Sequence, residues 1–128
     1  MKILYTNFHR ADGGGHTTYI ISLVRALKEA HEIVVSAPLT SRLHQTLLSL
    51  SDVRVVNHDF RGGLLKCVRD ARRFRAFLRS ERFDIVHVNG SADHRLCMLA
   101  VAGMGVDRPA IVYTQHNDRD VNRLGTLI

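Results

Sequence analysis

The sequence predicts an α/β fold, a parallel sheet with helices on both faces. Three observations predict it. Strand-like and helix-like stretches alternate from end to end with short connections. The strand-like runs are apolar and rich in β-branched residues, whereas the stretches between them repeat apolar residues every three or four positions. The first strand-to-helix junction carries three consecutive glycines, Gly13-Gly14-Gly15. Such an alternation implies right-handed crossovers, and ligands then bind at the carboxyl ends of the strands, near the point where strand order reverses.

Taken in order, Lys2 to Phe8 reads as a first strand that turns polar at Asn7. After the glycines, Ile20, Leu23, Val24 and Leu27 recur at helical spacing from near Tyr19, with Thr17 or Thr18 as the cap. His31 to Ala37 is a β-branched strand stopped by Pro38, Thr40 to Leu50 a second helix, and Val53 to His58 a third strand. Leu64 to Arg82 is the longest helix, with Leu64, Val68, Ala71, Phe74 and Leu78 as its core face and arginines elsewhere. Phe83 to Gly90 is a fourth strand, Arg95 to Met104 a buried helix, and Pro109 to Thr114 a fifth strand.

At 128 residues, with 45% hydrophobic and 23% charged, the chain is expected to form one domain with its own core. No apolar run is long enough to span a bilayer, and the N-terminus turns polar at Thr6-Asn7, so neither a membrane span nor a signal peptide is predicted. Cys67 and Cys97 share no motif spacing and fit a reducing, cytoplasmic setting as small apolar groups. The formal charge of +6 attracts polyanions: anionic lipid, nucleic acid or phosphorylated substrates. Few aromatics and no recognised nucleic-acid motif put nucleic acid last. The arginine-rich helix is either a solvated face or a surface that rests on anionic membrane.

Three polar strand ends should meet at the ligand edge: the glycine loop, Asn89-Gly90-Ser91 and Gln115-His116-Asn117. Glycine N–H groups backed by a helix N-terminus suit an anion. The loop does not read G-x-G-x-x-G, and strand two ends Ser36-Ala37-Pro38 with no ribose-binding carboxylate, which weakens a nicotinamide-dependent dehydrogenase. It is not a P-loop either. His116 lies just past a strand, where an imidazole can meet a hydroxyl or phosphate. Asn89 and Ser91 are candidate ligand contacts, with capping the rival role for Ser91, and His16 is singled out because it follows the glycines. His87 reads as a hydrogen-bonded core histidine. The histidines form no H-x-H or H-E-x-x-H, and Asp118-Arg119-Asp120 reads as a solvated loop rather than a metal-binding D-x-D.

The opening Met1-Lys2-Ile3-Leu4-Tyr5, the loop Gly13-Gly14-Gly15, Phe83-Asp84-Ile85-Val86-His87-Val88-Asn89 and Ile111-Val112-Tyr113-Thr114-Gln115-His116-Asn117 occur in an order and spacing that resembles the N-terminal half of family 4 (group 1) retaining glycosyltransferases. The resemblance covers nearly the whole chain. It implies the Rossmann-like N-terminal, acceptor-side domain of a GT-B fold, in which a C-terminal domain holds the nucleotide-sugar and an E-x7-E motif. It also implies that Gly13, Gly14 and Gly15 approach the donor diphosphate. His116 then touches the transferred sugar, and His16, Asn89, Ser91 and Asn117 face the acceptor. No metal or other cofactor is expected. The acceptor would be a glycan or lipid-linked molecule, in lipopolysaccharide or other surface-glycan synthesis, at the inner face of a membrane. Because the chain stops at Ile128, short of a complete N-terminal domain, the expectation is a truncated domain without its donor partner. It would be inactive alone and prone to self-association. The reading from another class is a non-catalytic module that binds a phosphorylated ligand or an anionic membrane.

Overall fold

Alternate residues of the apolar strands serve opposite faces of one sheet, and that division organises the molecule. Ile3, Tyr5, Ile33, Val35 and Ala37 pack to one side, while Leu4, Val34, Val86 and Val88 pack to the other. A strand buried on both faces must be apolar throughout, as these are. A computed structural model describes residues 1–50, 52–60 and 62–115. Within them the strands are β1 (Lys2–Thr6), β2 (Glu32–Ala37), β3 (Val53–Asn57), β4 (Ile85–Val88) and β5 (Ala110–Tyr113). They alternate with helices α1 (Gly14–Leu27), α2 (Arg42–Leu47), α3 (Leu64–Glu81) and α4 (Ser91–Val101). The strand order is β3-β2-β1-β4-β5 and every pairing is parallel.

The first face is covered by Ile20, Ile21 and Val24 of α1 with Leu43 and Leu47 of α2. The second is covered by Ala71, Phe74 and Leu78 of α3 with Leu96, Cys97, Ala100 and Val101 of α4. The predicted class, a parallel sheet with helices on both faces, is therefore the observed one. Cys97 is buried and Cys67 partly so, both as free thiols. Among the described residues no helix is long and apolar enough to cross a membrane.

Several boundaries differ from expectation, each for a local reason. Helix α1 begins at Gly14 rather than near Tyr19. Gly13 takes a left-handed backbone with φ +75° and is itself the cap, so neither Thr17 nor Thr18 serves that role. The Thr17 hydroxyl instead donates back to the Asp12 carbonyl at 2.7 Å. Helix α2 has only six residues, because the Ser41 hydroxyl accepts the His44 N–H at 3.0 Å and starts it late. Helix α4 begins at Ser91, four residues earlier than expected, and Ser91 does not cap it. Its early start accompanies Asp93, whose carboxylate accepts the Asn89 N–H at 2.9 Å, a favourable place for negative charge. In α3 the first buried residue is Ala71. Leu64 and Val68, expected in the core, are exposed, while Cys67 between them packs against it.

Candidate functional site

Strand order reverses between β1 and β4, so the chain leaves these two neighbours in opposite directions. The resulting crevice at their carboxyl ends is the ligand site that this topology offers. One lip is the segment from Asn7 to Gly13 with the start of α1. The other is the Asn89-Gly90 turn with the start of α4.

On the first lip the Asn7 N–H continues the sheet by donating to the Ser36 carbonyl at 3.1 Å, and then the chain turns away. The Asp12 carboxylate accepts the Gly14 N–H at 3.0 Å. A side chain at Gly13 would bring its Cβ to 2.2 Å from the Thr17 hydroxyl, so glycine is required there by both φ and space. Gly14, at φ +51°, and Gly15 are different: a Cβ on either meets nothing within 4 Å. The space beside both is open, at the positive end of a helix of 14 residues.

A cation stands over this loop. The Arg42 guanidinium pairs with the Asp12 carboxylate at 3.0 Å and reaches the Gly14 carbonyl and the Thr18 hydroxyl at 3.4 Å each. Arg10 pairs with Asp59 at 2.7 Å on the opposite flank. Phe8, His9 and His16 form a ring cluster behind the glycines, with centroids 4.1 Å apart for Phe8 and His9 and 4.7 Å for His9 and His16.

The second lip is tied to the first from within. Asn89 is buried, and its amide donates to the Thr6 carbonyl at 3.1 Å and the His87 carbonyl at 3.2 Å. It acts on the crevice by fixing the ends of β1 and β4. Asp93 adds a second tie, accepting from the Thr6 hydroxyl and the Asn89 N–H. Burial pushes the Asp93 carboxyl up to about 6, against the lowering effect of these hydrogen bonds. Phe8 crosses directly over Gly90, where a Cβ would lie 2.2 Å from its ring. His94 stacks on Tyr113 at 4.5 Å with the rings 9° from parallel. His87 is half-buried, with Nε2 2.6 Å from the Thr114 hydroxyl, as expected of a core histidine.

Ser91 lies on the far side of this lip, lining a groove with Phe8, Phe60, Leu64, Cys67 and Leu99. Of the expected site residues, the structure thus brings Gly13, Gly14, Gly15 and His16 to one lip and Asn89 to the other, with Ser91 beside it. Strand β5 runs next to β4 to the same edge, where the Thr114 N–H donates to the Val88 carbonyl at 3.1 Å. His116, Asn117 and Asp118-Arg119-Asp120 lie outside the described residues. Among the described residues no group of three or more His, Cys, Asp or Glu side chains gathers as a metal site.

Arg42, Asp93 and the Phe8–Gly90 crossing were not foreseen from the sequence. Arg42 is 30 positions from the loop it covers, and nothing local marks it. Asp93 did have a signal, an acid three residues after a glycine at a helix start, but that helix was expected to begin at Arg95.

The profile of Glycosyltransferase Family 4 matches residues 13–126. The chain belongs to glycosyltransferase family 4. In this family-4 chain the profile match begins at the first of the three glycines. Among solved structures, the chain resembles Anabaena Alr3699/HepE, whose crystal structure is of a complex with UDP and glucose. The TM-score is 0.63 at 17% identity, covering 91% of this chain and 30% of that one. The family-4 chain therefore shares its Rossmann-like fold with part of that protein and spans about a third of its length. No curated protein matches the sequence.

Proposed function

We propose that this domain is the acceptor-side half of a retaining, nucleotide-sugar-dependent glycosyltransferase. The observation that carries the reading is the open space beside Gly14 and Gly15 at the start of α1, next to the Arg42–Asp12 pair, at the reversal of strand order. Helix N–H groups and a fixed cation stabilise negative charge where a diphosphate leaving group develops it. The solved relative's UDP supports a nucleotide-linked donor by analogy.

In the intact enzyme Gly13 to Gly15 approach the donor diphosphate from across the cleft. His116 positions the transferred sugar, and His16, Ser91 and Asn117 face the acceptor. Asn89 holds the two strand ends at their spacing rather than presenting its buried amide. No metal is expected, the helix terminus supplying positive charge beside the Arg42–Asp12 pair. The acceptor is a surface-glycan or lipopolysaccharide precursor, presented at the cytoplasmic face of a membrane. The 128 residues alone are inactive, since the donor and the paired glutamates come from a second domain.

The test is transfer by the intact enzyme across a panel of nucleotide-sugars, with the anomeric configuration of the product read by NMR. Retained configuration is expected, with His116→Ala lowering turnover roughly tenfold or more. An inverted product would remove the retaining assignment, and unchanged turnover in His116→Ala would remove that residue from the site.

A further inference from the structure

Three guanidiniums converge at the edge of the sheet opposite the crevice. Arg79 comes from the last turn of α3, Arg82 from the residue that caps that helix, and Arg108 from the end of a short 3-10 helix, Gly105–Asp107. All three line one cavity of about 580 Å³, with the buried Phe83 and Pro109 in its wall, just before the amino ends of β4 and β5. Arg10, Arg42 and Arg54 each hold an acid, and Arg75 holds the Ala100 carbonyl. Among the described residues no hydrogen bond or ion pair engages the side chains of Arg79, Arg82 and Arg108. Asp84 and Asp107 line the cavity too, and neither forms an ion pair with these arginines. The Asp84 carboxylate is engaged elsewhere, accepting the Lys2 N–H at 2.8 Å.

The negative end of α3 suits Arg79 and Arg82, but Arg108 belongs to a different element and gains nothing from it. The backbone of Arg82 adds a second observation. Among the described residues Arg82 is the one non-glycine with positive φ, at φ 55° and ψ 61°. Glycine ends a helix in this conformation without strain. The chain instead carries an arginine there, and its side chain lines the cavity. Gathering like charges raises their mutual repulsion, which an anion between them relieves.

We infer that this cavity binds the phosphoryl group of a small phosphorylated molecule. Three converging guanidinium forks match a group with three free oxygens better than a planar carboxylate with two. Arg79, Arg82 and Arg108 donate to those oxygens. Val106, fully exposed on the rim, offers the rest of the ligand an apolar contact. The cavity lies before the amino ends of the parallel strands and the crevice beyond their carboxyl ends, so this site is independent of the sugar-transfer reading.

The test is an NMR titration of the 128-residue chain with inorganic pyrophosphate, against sodium chloride of equal ionic strength. Amide signals of Arg82, Asp84, Val106 and Arg108 report on this cavity, and those of Gly14 and Gly15 on the crevice, so the two are read apart in one experiment. Saturable shifts are expected at the first set with pyrophosphate and not with chloride. Arg82→Gly should weaken this binding roughly tenfold, with a melting temperature equal to or above wild type because glycine relieves the left-handed backbone. Arg108→Gln should weaken it by a similar factor. Arg25→Gln with Arg72→Gln removes two charges elsewhere and should leave the affinity within about twofold. Shifts confined to Gly14 and Gly15 would overturn the proposal, as would an Arg82→Gly chain that binds like wild type. Equal weakening by the Arg25 and Arg72 changes would also overturn it, in favour of general charge attraction.

Discussion

Asp93 holds the two lips of the crevice together and does so at an electrostatic cost. Its carboxyl is raised from 3.8 to about 6 by burial, so the folded state binds this proton more tightly than the unfolded chain. Its contribution to stability is thus complete below about pH 4 and is lost as pH rises through 6. His58 works in the opposite sense. Burial lowers its pKa, so its contribution is lost as pH falls below the usual histidine range. The Asp93→Asn variant isolates the first effect. Relative to wild type it should gain stability between pH 4 and 7, by up to about 3 kcal/mol, in denaturant titrations at fixed pH. Equal pH profiles for the two proteins would show that Asp93 is not buried as a carboxylate. Gly90 is constrained by space alone, and Gly90→Ala should cost about 1–3 kcal/mol by displacing Phe8, read as a lower urea midpoint with an unchanged slope.

At the scale of elements, α3 divides into two working halves. Its later turns carry Phe74, which is buried between the sheet and the rings of His58, Phe60 and Phe77. Phe74→Ala should cost about 3–5 kcal/mol, whereas Leu65→Ala should change the melting temperature little. Comparable losses at the two positions would mean that the first turns of α3 are packed in solution. Helical spacing placed Leu64, Val68, Phe74 and Leu78 on one apolar face. Spacing alone does not say which turns of a helix are packed, so the exposure of Leu64 and Val68 was not legible. Helix starts failed for a related reason. Gly14, Gly15 and Ser91 look like loop residues, and only the left-handed Gly13 and the placement of Asp93 show that the helices begin there.

For the molecule as a whole, the parallel sheet was legible because strands buried on both faces are apolar at every position, and Ile3-Leu4-Tyr5 and Ile33-Val34-Val35 are. The location of the crevice followed, since alternating strands and helices put their loops at one edge. The residues gathered there were legible only where they are neighbours in sequence, as in the glycine loop. Arg42 over Gly14 and Thr6 against Asp93 join residues 28 and 87 positions apart, and no local pattern encodes such pairs. In the proposed enzyme the open space beside Gly14 and Gly15 faces the donor diphosphate. Gly15→Ala in the intact enzyme tests it most directly. The added methyl meets no atom of the protein within 4 Å, and alanine favours a helix over glycine by up to about 1 kcal/mol. A melting temperature equal to or above wild type is therefore expected, together with kcat/KM for the nucleotide-sugar lowered roughly tenfold or more by a methyl group in the path of the diphosphate. Undiminished transfer by this stable variant would contradict the account.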